Sequence, residues 1–128
     1  MDPDVLRERL ARGDILDQNG VPQQPGSSYQ PDRWLWYFRM VENEAVVPFE
    51  MPVLYVDDRL IAVDKPHFLA TTPGGRYLYE TALTRLRRDF AEDGISPIHR
   101  LDRETAGILL FCRDPAARGA YQSLFQQG

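Results

Sequence analysis

Nine consecutive residues, His99 to Gly107 (HRLDRETAG), hold the greatest density of groups able to do chemistry. Asp102 sits among them with Arg100 and Arg103 on either side. Nearby positive charge favours an ionised carboxylate. Such a carboxylate can act as a nucleophile toward a sugar or base carbon. The plain alternative is an Asp that only pairs with its arginines. His99 reads either as a general base or as a structural ring. Lys65 could reach a phosphate or help shape the floor of a site. As the last residue of a strand, it reads better as a cation with its charge in water. The two histidines, His67 and His99, have no Cys or His neighbours at metal-ligand spacing, so no metal is expected. Cys112 is the single cysteine, which excludes an internal disulfide.

Several elements must position that loop. Val53 to Val56 and Leu60 to Val63 are strand-favouring runs around the turn Asp57-Asp58-Arg59, which predicts a β-hairpin. Lys65-Pro66 ends it, because Pro cannot donate to a sheet ladder. Residues 78–91 read as a helix, with Leu83, Leu86 and Phe90 on one face and Arg85, Arg87 and Arg88 on the other; Gly94 is the expected stop. The loop at 99–107 then feeds Ile108-Leu109-Leu110-Phe111, an apolar run expected of a strand covered on both faces. Catalytic groups tend to gather on such loops at strand ends. Asp114 and Pro115 should start a last helix whose apolar face is Ala117, Tyr121 and Leu124.

Two stretches carry a resemblance. HRLDRETAGILLF closely resembles the signature loop of the RluA/RsuA family of RNA pseudouridine synthases, whose pattern is HRLDRxTSG followed by an apolar strand. LIAVDKPHFLATTPGG is similar to the family's first motif, a strand ending in Lys-Pro. The chain departs at Ala106, where the family usually has Ser, and at Asp64, where Asn is more common. The family's later motifs, which supply a Tyr and a basic partner, have no equivalent before residue 128. The resemblance implies cofactor-free isomerisation of uridine in RNA. It makes Asp102 the catalytic carboxylate and Arg100 a residue that enters the RNA stack when the uridine flips out. It gives Arg103 an RNA contact or the task of holding Asp102, and His99 a structural role.

Upstream, Asp2, Pro3 and Gly13 bracket a short helix with Val5, Leu6 and Leu10 on its apolar face. Asn19-Gly20 signals a turn. Trp34 to Phe38 could be a base-stacking platform, but a run without alternation reads better as a core strand. Residues 5–39 also resemble the small RNA-binding domain that precedes many family members. They lack a basic face, which makes them a degenerate version or a packing arm. Residues 41–52 read as an extended linker, and the boundary falls near residue 52.

The bulk composition sets limits. A hydrophobic fraction of 43% and a charged fraction of 27% are those of a globular protein. No apolar run reaches the roughly 20 residues of a membrane span, and the charged start is no secretory signal. The cytoplasm is the default location. The net charge of −4 neither supports nor excludes RNA, since residues 53–128 hold equal numbers of acidic and basic groups.

The expected fold is α+β, a mixed, mainly antiparallel sheet with flanking helices. Residues 1–52 form an N-terminal arm and linker, and 53–128 the N-terminal part of a pseudouridine synthase catalytic domain. Three strands are too few to cover an apolar strand on both faces, so the core is expected to be incomplete and its sheet edge open to self-association. A small α+β domain closed by residues 1–52 is the alternative. The expected partner is RNA, ribosomal or transfer, with no membrane and no metal. The competing function is a non-catalytic RNA-binding fragment. A carboxylate-dependent hydrolase lacks its second acid.

Overall fold

A computed structural model describes residues 2–38, 41 and 43–128, and the chain divides by contact into two units, Met1–Met40 and Val41–Gly128. The first begins with helix α1 (Pro3–Arg12). Asp2 caps it, its Oδ1 accepting from Asp4 N at 2.7 Å, and Pro3 starts it where a missing N–H is harmless. Gly13, at φ 76°, ends it in the left-handed conformation that suits glycine. Strand β1 (Ile15–Asp17) pairs antiparallel with β2 (Leu35–Tyr37). Between them the buried carboxylate of Asp17 accepts from Asn19 N and Val21 N at 2.8 and 2.9 Å, which closes the expected Asn19-Gly20 turn. Strand β2 departs from expectation: Trp34 to Phe38 are all exposed, so they are not core. A two-stranded sheet gives this run no second layer to bury against.

The second unit holds a four-stranded sheet of β3 (Val53–Val56), β4 (Leu60–Lys65), β5 (Ser96–Pro97) and β6 (Gly107–Cys112). The spatial order is β3-β4-β6-β5, and every pairing is antiparallel. Side chains alternate across a strand, so Ile61, Val63, Leu109 and Phe111 share one face. They are fully buried with Leu69, Ala82, Leu86 and Ile95. Each such side chain contributes about 1.5–3 kcal/mol by leaving water. The other face is partly covered: Ala62 and Cys112 are buried on it, whereas Ile108 is 62% exposed. The apolar run at 108–111 is therefore fully covered on one face and partly on the other.

Helix α2 (Ala82–Phe90) supplies Leu83 and Leu86 to the core. It starts four residues later than expected. The backbone N–H groups of Leu78, Tyr79 and Glu80 donate instead to the Glu44 carboxylate, at 2.7–3.0 Å, and Thr81 caps the helix through Thr84 N. It stops at Ala91, in the left-handed conformation, rather than at Gly94. Two of its arginines do not lie free in water: Arg85 donates to the Phe49 and Val47 carbonyls, both at 2.8 Å, and Arg87 to Ile95 O at 2.9 Å. Residues 43–52 have no helix or strand, as a linker should. They nevertheless lie against this unit, with Val47 in its core.

Helix α3 (Arg118–Gln126) begins three residues after Pro115, because Asp114 closes a separate turn onto Ala116 N. None of its residues is buried, and Leu124 is exposed. Of its expected apolar face, Ala117 and Tyr121 are half-buried and only Leu124 is open. Among the described residues, no helix is long and apolar enough to cross a membrane.

Candidate active site

The segment from Ile98 to Ala106 joins β5 to β6; side chains from elsewhere fasten its backbone at Leu101, Arg103 and Glu104, and its own His99 ties it to β6. Thr71 holds Leu101 twice: its hydroxyl donates to Leu101 O at 2.6 Å and accepts from Leu101 N at 3.2 Å. Lys65 Nζ donates to Arg103 O at 3.3 Å. His67 Nδ1 lies 2.7 Å from Glu104 O; a carbonyl only accepts, so Nδ1 carries the proton. Leu110 N donates to His99 Nε2 at 3.1 Å. Asp102 lies between the Leu101 and Arg103 anchors, and its own carbonyl accepts from Thr105 N at 3.0 Å. Its main chain is fixed while its side chain is exposed. A carboxylate held this way reaches its target without the entropic cost of ordering a loop.

Lys65 corrects the sequence reading. It is fully buried, not solvated. Its ammonium donates to Leu69 O at 2.7 Å and Pro66 O at 3.1 Å as well as to Arg103 O. One cation thereby ties the loop after β4 to the loop that carries Asp102. Burial pushes its pKa below the ordinary value, and the charges of Glu104 and Asp102 oppose that shift. The signal was present in the sequence: Ile61, Val63 and Lys65 follow period two, which places all three on the core face.

The arginines part company. Arg100 is exposed and, among the described residues, has no side-chain hydrogen bond or ion pair. Arg103 does not hold Asp102. Its guanidinium pairs with Glu104 at 3.1 Å and lies 5.7 Å from the centre of the Phe68 ring and 5.5 Å from that of Tyr77. Neither arginine comes within ion-pair distance of Asp102 among the described residues. His99 is structural, as expected: its ring stacks on Phe125 at 4.4 Å, and burial lowers its pKa. The neutral ring agrees with Nε2 acting as an acceptor.

Beside the loop lies a cleft of about 380 Å³ whose lining includes Pro66, His67, Phe68 and Ala106. Sequence reasoning missed Thr71, His67, Phe68 and Tyr77. Only Phe68 carries a local oddity, a bulky residue at φ 69°, and it shows only in the backbone. Among the described residues, no group of three His, Cys, Asp or Glu side chains is placed to hold a metal ion.

Comparison with known proteins matches residues 59–128 to the family model described as RNA pseudouridylate synthase. An uncharacterized RNA pseudouridine synthase of Synechocystis is 33% identical over 94% of this chain and 41% of its own length. RNA pseudouridine synthase 5 of Arabidopsis thaliana is 32% identical over 94% of this chain and 36% of its own. The dual-specificity RNA pseudouridine synthase RluA of Haemophilus influenzae is 31% identical over 66% of this chain and 38% of its own. The chain thus spans about two fifths or less of the length of these relatives.

Proposed function

The chain belongs to the RNA pseudouridylate synthase family, as an RluA-like member, and from that premise we propose that it carries the catalytic loop of an isomerase that converts uridine in RNA to pseudouridine. Asp102 is the proposed catalytic carboxylate. It attacks or stabilises the sugar's anomeric carbon as the bond to uracil N1 breaks. The freed uracil turns, carbon 5 bonds to the sugar, and the proton on carbon 5 leaves as N1 gains one. The observation that carries this reading is the contrast at one residue: a side chain in solvent on a backbone pinned at both neighbours.

A base inside a helix is out of reach, so the uridine must flip out at a cost of a few kcal/mol. Arg100 is the proposed residue that fills the gap: it is exposed and unpaired among the described residues, and a guanidinium both stacks and binds phosphate. Arg103 keeps a proposed RNA contact through the face it shares with Phe68. Ribosomal or transfer RNA is the proposed substrate, and the cytoplasm the proposed place of work.

The test is tritium release from RNA labelled at uridine carbon 5. Asp102→Asn in the full-length protein should lower release by at least about 10³-fold while leaving the melting curve unchanged. Wild-type release from that variant refutes the assignment. A second reading keeps RNA binding and drops the chemistry, and the chain's share of its relatives' length makes it worth testing. Release by the 128-residue chain alone would eliminate it.

A further inference from the structure

The cleft beside the catalytic loop is built, not incidental. Two exposed phenyl rings line it, Phe49 at 49% and Phe68 at 50% exposure, and Pro52, Pro66 and Ala106 add apolar surface. Both ring-bearing segments are tied down. Arg85 holds Phe49 O at 2.8 Å. Lys65 holds the carbonyls on either side of Phe68, those of Pro66 and Leu69. Asp64 N donates to Pro52 O at 2.9 Å, which joins the two segments. Phe68 keeps a left-handed backbone, φ 69°, that a bulky residue rarely adopts. Strain of this kind persists where the surroundings enforce it, often at binding sites. The Arg103 guanidinium sits against the same ring.

The polar groups of the cleft are as telling as its rings. Glu50, Asp64 and His67, all exposed, line it together with Lys65. The Lys65 ammonium is already committed to three carbonyls, and His67 gives its Nδ1 proton to Glu104 O, which leaves Nε2 as an acceptor. A carboxylate accepts hydrogen bonds and donates none. It repels phosphate and suits an exocyclic amino group. Aromatic and apolar lining beside acceptors suits a flat, amino-bearing occupant.

We propose that this cleft is a subsite for an unpaired, amino-bearing base of the RNA, adenine or cytosine, next to the target uridine, stacked on Phe68 and Phe49 with its amino group toward Asp64 and Glu50. The inference rests on the RNA-isomerase reading and deepens it: the cleft sets which neighbour the target must have. A base stacked on an aromatic ring gains affinity whatever its identity, and the carboxylates add discrimination rather than bulk affinity.

The experiment is equilibrium binding of the full chain to labelled RNA hairpins, read by fluorescence anisotropy. The hairpins keep one loop uridine and carry adenine, unsubstituted purine or uracil beside it. Adenine should bind about fivefold tighter than purine, and Asp64→Asn with Glu50→Gln should erase that difference. Phe68→Leu keeps apolar volume but removes the ring. It should weaken the adenine hairpin on the order of tenfold, with Phe68→Trp restoring it and the melting curve unchanged. Should Phe68→Leu fail to fold, Phe49→Leu makes the same measurement. Equal affinity for the three hairpins, absence of binding by the wild-type chain, or wild-type binding by the Leu variant overturns the proposal. Asp102→Asn separates the two ideas. It lies outside the cleft lining and should keep the adenine preference. Full isomerase activity in that variant would sink the catalytic assignment and leave the subsite standing.

Discussion

Residues 34–38 and residues 99–106 both offer side chains suited to contacting RNA, yet they are supported in opposite ways. The first is a three-residue strand flanked by aromatic groups, and every side chain from Trp34 to Phe38 is exposed. Trp34 and Trp36 lean on each other, ring centres 6.5 Å apart. Its ties are the antiparallel pairing with β1 and Arg9, which donates to Phe38 O at 2.9 Å. The second shows polar tips to solvent while Thr71, Lys65, His67 and His99 hold its backbone or the strand that follows. Exposure alone therefore does not mark a site. A reactive group needs exposure at the tip and constraint at the base; 99–106 adds to these a carboxylate, whereas Trp34 to Phe38 hold no charged side chain.

The sharpest way to break the contrast is to remove its central tie. Lys65→Met keeps the buried stem but leaves the carbonyls of Leu69, Pro66 and Arg103 without their donor. Unsatisfied buried acceptors cost about 1–3 kcal/mol each, so a loss of about 3 kcal/mol is expected in urea unfolding. Isomerase activity of the full-length protein should fall with it. A loss under about 0.5 kcal/mol would show that Lys65 is not the clamp.

A smaller effect comes from His99. Its folded-state pKa lies below the ordinary 6.5 because of burial. The unfolded chain therefore binds a proton more readily than the folded one. Stability from this group is full above 6.5 and drains as pH falls through 6.5 toward the lower folded value. The urea midpoint should drop between pH 7 and pH 5 more in the wild type than in His99→Gln. Equal drops would contradict the half-buried, neutral ring. The smallest effect belongs to the other region: Trp34→Ser and Trp36→Ser should each change stability by less than about 0.5 kcal/mol, measured the same way.

Much of the second unit was legible because its signals are local. Leu60 to Val63 and Ile108 to Phe111 announce strands, Asp57 to Arg59 a turn, and Leu83 with Leu86 the buried side of a helix. Other features had no local signal. Strand β5 is two residues long and contains Pro97, so pattern alone does not reveal it. The helix start moved to Ala82 because a carboxylate more than thirty residues away captures the N–H groups of 78–80. Trp34 to Phe38 have the composition of core, but burial also requires an opposing layer, which composition does not report.

By itself the sequence determined the family, the strand and turn pattern around HRLDRETAG, and the identity of the carboxylate on which the chemistry is proposed to rest. Only the tertiary structure decided that Lys65 is buried, that Arg103 turns to Glu104 and Phe68 rather than to Asp102, and that Asp64 and Ala106 line one cleft. The reason is physical. Propensity and periodicity act over a few residues along the chain, whereas a hydrogen bond such as Lys65 to Arg103 joins groups 38 positions apart, and no local pattern encodes which distant carbonyl will be there.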